Sequence, residues 1–126
     1  MVVDEITDGV RIAQLLSSEF DGREDPPLDS VAVVNADSDV EPTEDGALAY
    51  ELEREGDDDP FAEVFVHPDR VRIELTGDVE AVERKAAESD IRVRPKAVRP
   101  PRVLVFVESG AEVKRAVDSV VESLYS

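Results

Sequence analysis

The chain contains no cysteine and no tryptophan, and His67 is its only histidine among 126 residues. Without cysteine, a disulfide scaffold, a thiolate metal site and a cysteine nucleophile are all excluded. One histidine cannot supply the several imidazoles of a typical transition-metal site. The sequence also lacks a Gly-x-Ser-x-Gly motif, so it offers no recognised nucleophile–base pair. We therefore predict neither catalytic residues nor metal ligands, and interpret His67 as a turn residue.

Long apolar runs and clustered glycines are missing as well. No apolar stretch approaches the ~20 residues that a helix needs to cross a bilayer. Residues 1–22 are acidic and amphipathic, without the basic start and continuous apolar segment of a secretory signal. The six glycines lie far apart, which excludes a phosphate-binding loop and a dinucleotide fingerprint. We expect a cytoplasmic protein with no membrane association and no cofactor.

Basic residues are scarce and unevenly placed. The chain has 31 acidic and 14 basic residues, a net charge of −17, and only three of the 14 bases are lysines. Residues 1–66 contain 20 acids and three bases, whereas residues 67–126 contain 11 of each. This acid-rich, lysine-poor composition is typical of cytosolic proteins from salt-loving archaea, where repulsion between carboxylates is screened within ~3 Å at 1 M ionic strength. We predict a halophilic protein, so carboxylates alone carry little functional information.

Apolar periodicity predicts an α+β domain. Near the N terminus, Ile6, Val10, Ala13, Leu16 and Phe20 recur at helical spacings of three and four. Alternating or apolar runs predict strands at residues 31–34, 47–52, 63–66, 71–75, 91–94 and 103–107, with two further helices near residues 78–89 and 109–124. The order α-β-β-β-β-α-β-β-α predicts one domain over residues 1–126, with three helices and a mixed, largely antiparallel sheet of five to six strands.

The strand predicted at residues 47–52 carries three large apolar side chains at alternate positions. Because side chains alternate between the faces of a strand, we expect Leu48, Tyr50 and Leu52 to share one face.

One segment departs from the acidic background. Residues 91–107 contain no acid. The candidate binding residues are the bases of this segment and one base on a neighbouring strand: Arg72, Arg92, Arg94, Lys96, Arg99 and Arg102. Three interpretations remain open: pairing with the protein's own acids, either Glu74 or those of the acidic residues 1–66; a protein interface, where arginine is enriched; or binding of a nucleic acid or an anionic ligand through residues 92–102. Molar salt weakens phosphate binding, and no aromatic residues are interleaved to stack bases, so nucleic acid is the least favoured.

The strand at residues 103–107 is apolar at every position, so both of its faces need a cover. Successive strand–helix units place their helices on one face. The other face is then covered either by the first helix or by a second molecule, and we favour self-association as a homodimer. Exposed apolar residues surrounded by charge are typical of a partner surface. We therefore predict a non-catalytic binding or interaction module; the alternative is a carboxylate-dependent enzyme of unknown class.

Overall fold

The computed structural model describes residues 7–22, 28–76 and 79–124. These residues form three helices, α1 (Gly9–Gly22), α2 (Val79–Glu88) and α3 (Val113–Leu124), with short 3-10 turns at Leu28–Ser30 and Gly110–Glu112. The strands are β1 (Val31–Val34), β2 (Ala47–Arg54), β3 (Ala62–Val66), β4 (Val71–Thr76), β5 (Arg92–Lys96) and β6 (Arg102–Val107). The predicted α+β class and element order are confirmed. Ile6, the first residue of the predicted apolar stripe, lies outside the described residues.

The six strands form one sheet in the order β1-β2-β3-β4-β6-β5, and every neighbouring pair is antiparallel. The paired residues at its centre are apolar: Val64 lies opposite Ile73, which lies opposite Val105. All three side chains are fully buried. Because successive side chains of a strand point to opposite faces, this register leaves a second, different face on the other side of the sheet.

All three helices pack on the apolar face. The α2 helix contacts β5 and β6, α3 contacts β4 and β6, and α1 contacts β1, β3 and β4. Helix α3 also contacts both other helices. The buried apolar residues of the described chain form one hydrophobic cluster between the helices and the sheet. The described residues therefore form a two-layer structure in which none of their helices lies on the second face of the sheet.

The position of α1 corrects one of the two alternatives for covering the sheet. Instead of crossing to the opposite face, α1 packs beside α3. Its stripe of Ile12, Leu16 and Phe20 is buried, and the Tyr50 hydroxyl donates a 2.8 Å hydrogen bond to the Ala13 carbonyl oxygen. The physical reason is that α2 and α3 contact mainly β4, β5 and β6, so α1 is needed over the β1–β3 half of the apolar face. The alternative in which α1 covers the other face is therefore wrong.

A bulge in β2 corrects the predicted face of Leu48. Leu48 lies opposite Phe65 and Tyr50 lies opposite Val64, so the register shifts at Ala49. One extra residue in a strand moves the preceding side chains to the other face. Tyr50 and Leu52 point into the core as predicted, whereas Leu48 lies on the helix-free face and is 39% exposed.

Candidate interaction surface on the open face of the sheet

The helix-free side of the sheet, hereafter the open face, presents 16 strand side chains. These side chains alternate along each strand with the buried ones, and their cross-strand partners lie on the same face of the sheet. They are Ala32 and Val34 of β1, Leu48, Glu51 and Glu53 of β2, Glu63 and Phe65 of β3, Arg72, Glu74 and Thr76 of β4, Arg92, Arg94 and Lys96 of β5, and Arg102, Leu104 and Phe106 of β6.

The charge of the open face differs from that of the whole chain. It holds five basic and four acidic residues, a net charge of +1, while the rest of the chain holds nine bases and 27 acids, a net charge of −18. Six of the other seven residues are apolar. Leu48 is 39% exposed, and Phe65, Leu104 and Phe106 are half-buried. The open face is therefore nearly neutral and partly apolar on an otherwise strongly acidic protein.

Glu74 is the centre of an ion-pair network on this face. It lies on β4 between β3 and β6, and only 6% of the residue is exposed. Its carboxylate accepts from Arg72 Nε at 3.1 Å and from Lys96 Nζ at 3.3 Å, and lies 3.6 Å from Arg102 Nη1. Arg102 also binds Glu63 at 2.7 Å. This hydrogen bond to Glu63 is the main cause that raises the pKa of the Arg102 guanidinium.

A cleft of about 450 Å³ lies beside this network. Its polar lining includes Glu63, Glu74 and Arg102, and its apolar lining includes Phe61 and Pro100. Glu63 and Glu74 are direct cross-strand neighbours, and Arg102 binds both of them. The cleft therefore contains two adjacent carboxylates that already share a cation.

Arg72 connects the network to the loop before β2. Its guanidinium carbon lies 4.4 Å from the centre of the Phe65 ring, within the range of a cation–π contact. Its Nη1 donates to the Asp45 carbonyl oxygen at 3.1 Å and to His67 Nε2 at 3.2 Å. With the ion pair to Glu74, these contacts hold Arg72 in a single orientation on the sheet.

His67 begins the β3–β4 turn, as predicted, but it is only 3% exposed. Its Nδ1 lies 2.9 Å from the Glu44 carbonyl oxygen. A carbonyl can only accept and a guanidinium can only donate, so His67 donates from Nδ1 and accepts from Arg72 at Nε2. Burial is the main cause that lowers the pKa of His67; the charges of Arg70 and Arg72 act in the same direction, while the Glu44 carbonyl and Asp69 oppose them.

The other candidate bases lie at the β5 edge. Arg92 forms a 2.8 Å ion pair with Glu108 and lies 5.6 Å from the centre of the Phe106 ring. Arg94 is exposed opposite Leu104 and forms no ion pair with a described residue. Arg99 is exposed in the connector between β5 and β6. Five of the six sequence-predicted residues therefore share the open face, and Arg99 lies outside it.

Four of these bases form ion pairs within the protein, since each binds a carboxylate: Arg72, Arg92, Lys96 and Arg102. Sequence reasoning anticipated Glu74 as a partner but did not name Glu63 or Glu108. A signal for Glu63 was available, since it alternates with the buried Val64 and Val66 and therefore shares a face with Phe65.

Among the residues that the structure describes, no group of three or more His, Cys, Asp or Glu side chains could hold a metal ion. The same ranges contain no helix with the length and hydrophobicity to cross a membrane.

Comparison with known proteins yields one family. Residues 1–126 match the model of DUF7993, a family of unknown function. Neither a curated protein nor a solved structure matches the chain.

Proposed function

The chain belongs to this family of unknown function, and we propose that the protein is a non-catalytic interaction module that binds a protein surface through its open face. The observation that carries the proposal is the charge contrast between this face and the remainder of the molecule. A solvent-facing surface of a protein with net charge −17 is expected to be acidic. The open face is instead nearly neutral, with a core of half-buried aromatic and aliphatic residues.

The residue types of the open face support a protein partner. Arginine and aromatic residues are enriched in protein interfaces, and Lys is depleted. Four of the five bases are arginines, and Arg72 and Arg92 lie over the rings of Phe65 and Phe106. The contacts of Arg72 fix its side chain before any partner binds, so less conformational entropy is lost on binding.

Nucleic acid or another anionic ligand is less well supported as a partner. Phosphate binding needs free cations and a positive field. Among residues 92–102, Arg92, Lys96 and Arg102 already bind carboxylates. The rest of the chain carries a net charge of −18, which repels a polyanion from the molecule.

A carboxylate-dependent enzyme is also less well supported. Such an enzyme needs two carboxyl groups in different roles, one of them able to transfer a proton. Glu63 and Glu74 are adjacent in the cleft, but both bind Arg102. This arrangement is that of a structural ion-pair network.

The proposal includes the environment in which the module acts, a cytosol of high salt concentration. It is supported by the excess of 31 acidic over 14 basic residues and by the small number of lysines. High salt screens long-range attraction between charged surfaces, so a partner would be bound mainly through apolar contacts and close, well-aligned ion pairs. The open face offers both.

Site-specific photo-crosslinking tests this function in the native host. A benzophenone amino acid replaces Leu104, at the centre of the open face, and in a matched control replaces Ala87, which is exposed on α2 in the helical layer. We expect discrete protein adducts from position 104 and few from position 87. Crosslinks mainly to nucleic acid, or the same yield from both positions, would overturn the proposal.

A further inference from the structure

Charge is segregated across the open face. The β5 end carries Arg92, Arg94 and Lys96 and no acid, while β2, towards the other end, carries Glu51 and Glu53 and no base. Between them, β3, β4 and β6 hold the mutually paired charges around Glu74. One end of the face is therefore the more basic, with Arg94 outside any ion pair of the described residues and Arg92 and Lys96 bound to Glu108 and Glu74, and the other end is acidic.

We propose that the partner of the open face is a second copy of this chain, packed face to face about a two-fold axis parallel to the strands. This inference rests on the proposed function, because it assigns the occupant of the same surface. In the strand order β1-β2-β3-β4-β6-β5, the axis lies between β3 and β4. With strands ~4.8 Å apart, β1 and β5 are each about 12 Å from it. The rotation therefore places the β5–β6 end of one copy over the β1–β2 end of the other.

The distribution of charge on the open face favours this axis over one that runs across the strands. Rotation about an axis parallel to the strands brings the bases of β5 towards Glu51 and Glu53 of the other copy, and the reverse contact forms by symmetry. Rotation about an axis across the strands would place β5 over β5, with three bases against three bases. Opposed like charges at an interface are costly. At the axis the rotation places Glu63 over Glu74 of the other copy, where Arg72, Lys96 and Arg102 already neutralise the carboxylates. The two ends of the face are thus complementary in this arrangement and repulsive in the other.

The apolar residues fit the same arrangement. Leu104 and Phe106 lie on β6, on one side of the axis, and Leu48 and Phe65 lie on β2 and β3, on the other side. The rotation therefore brings the apolar residues of β6 in one copy over those of β2 and β3 in the other, as in sheet-on-sheet packing with layers ~10 Å apart.

The size of the face predicts a moderate affinity. Six strands of about five residues cover roughly 500 Å² per copy in projection. Two copies then bury about 1,000 Å² in total, which is near the lower limit for a specific interface. The dimer should be reversible and concentration-dependent.

Edge-to-edge association of two sheets is a different dimer, and the edges oppose it. The β5 edge contains Pro95, which has no backbone donor, among arginine and lysine residues. The β1 edge is only four residues long. Prolines, charges and short strands all block pairing at a sheet edge.

A charge swap between Arg94 and Glu53 tests the arrangement. Neither residue forms an ion pair with a described residue, so Arg94→Glu and Glu53→Arg should leave the fold intact. We expect wild type to dimerise in sedimentation velocity, and each single variant to dimerise roughly tenfold more weakly or worse, because two symmetric contacts become repulsive. An equimolar mixture of the two variants should recover the dimer, since both of its cross-contacts are again of opposite sign. Arg84→Glu, on the exposed side of α2, makes the same change in charge and should not affect dimerisation.

Three results would overturn this inference: a wild type that is monomeric at all concentrations, single variants that still dimerise like wild type, or a mixture that does not recover the dimer. The photo-crosslink at position 104 separates this failure from failure of the proposed function. Adducts with a different protein would keep the interaction module and remove the homodimer, whereas adducts between two copies of this chain support both.

Discussion

At the scale of single residues, His67 shows how burial changes the chemistry of a side chain. Its imidazole joins the Glu44 carbonyl oxygen to Arg72 and therefore ties the loop before β2 to the open face. The hydrogen bond from Arg72 requires the neutral ring, because Nε2 must accept, whereas Nδ1 can donate to the Glu44 carbonyl oxygen in either protonation state. Protonation would remove the bond from Arg72 and place a second cation beside it.

This arrangement predicts a pH-dependent stability. Burial lowers the pKa of His67 in the folded protein, whereas in the unfolded chain it is about 6.5. Between these two values the unfolded state binds more protons, so the contribution of His67 to stability is complete above pH 6.5 or so and is lost as the pH falls towards the folded pKa. The free energy of unfolding should therefore fall more for wild type than for His67→Gln across this range, measured by urea titration at constant salt. Titration of the carboxylates is common to both proteins and cancels in the comparison. Identical pH dependence in the two proteins would contradict the prediction.

At the scale of the sheet, the ion pairs of the open face differ in depth and therefore in energy. The Glu74 carboxylate is 7% exposed, and its partners Arg72, Arg102 and Lys96 are 17%, 33% and 45% exposed. In the pair between Arg92 and Glu108 the exposures are 72% and 37%. Exposed ion pairs contribute little to stability, whereas removing one partner of a buried network leaves poorly solvated charges behind.

We therefore expect Glu74→Gln to lower the free energy of unfolding by about 2 kcal/mol, because three cations lose their shared carboxylate. Glu108→Gln, the matched control at the edge of the same sheet, should cost less than about 1 kcal/mol. Urea denaturation of the two variants and wild type measures both values. Equal losses would mean that burial on the open face does not strengthen its ion pairs.

At the scale of the whole molecule, the distribution of charge predicts a strong dependence on salt. Outside the open face the chain carries a net charge of −18, and these like charges repel in the compact state. At about 1 M ionic strength, repulsion is screened within ~3 Å. We expect the Tm to rise from dilute buffer to molar potassium chloride.

A variant with the turn residues Asp57, Asp58 and Asp59 changed to asparagine is the control. Its Tm should be higher than that of wild type in dilute buffer and should rise less with salt, since fewer like charges remain to be screened. A wild-type Tm that is unaffected by salt would remove the halophilic interpretation.

The alternation of side chains determined much of this structure locally. In β3 and β4, Val64 and Ile73 alternate with Glu63 and Glu74, and a period of two assigns each residue to a face whatever the strand pairs with. For this reason the strands, their buried side and the positions of Arg72, Arg92 and Arg94 on the open face could be read from the sequence. Lys96 and Arg102 were expected in a connector, and the structure places them at the ends of β5 and β6. The excess of acids in residues 1–66 is likewise a property of composition alone.

Only the tertiary structure decided which surfaces meet. An apolar stripe such as Ile12, Leu16 and Phe20 shows that a helix packs, but the choice of face depends on the area that α2 and α3 leave uncovered. The bulge at Ala49 and the burial of His67 likewise depend on neighbours distant in the chain. The same holds for the partners of Arg72 and Arg102, because registers between strands bring Glu63 and Glu74 within reach. Local periodicity determined the elements and their faces; long-range packing decided their arrangement and left one face of the sheet without a helix.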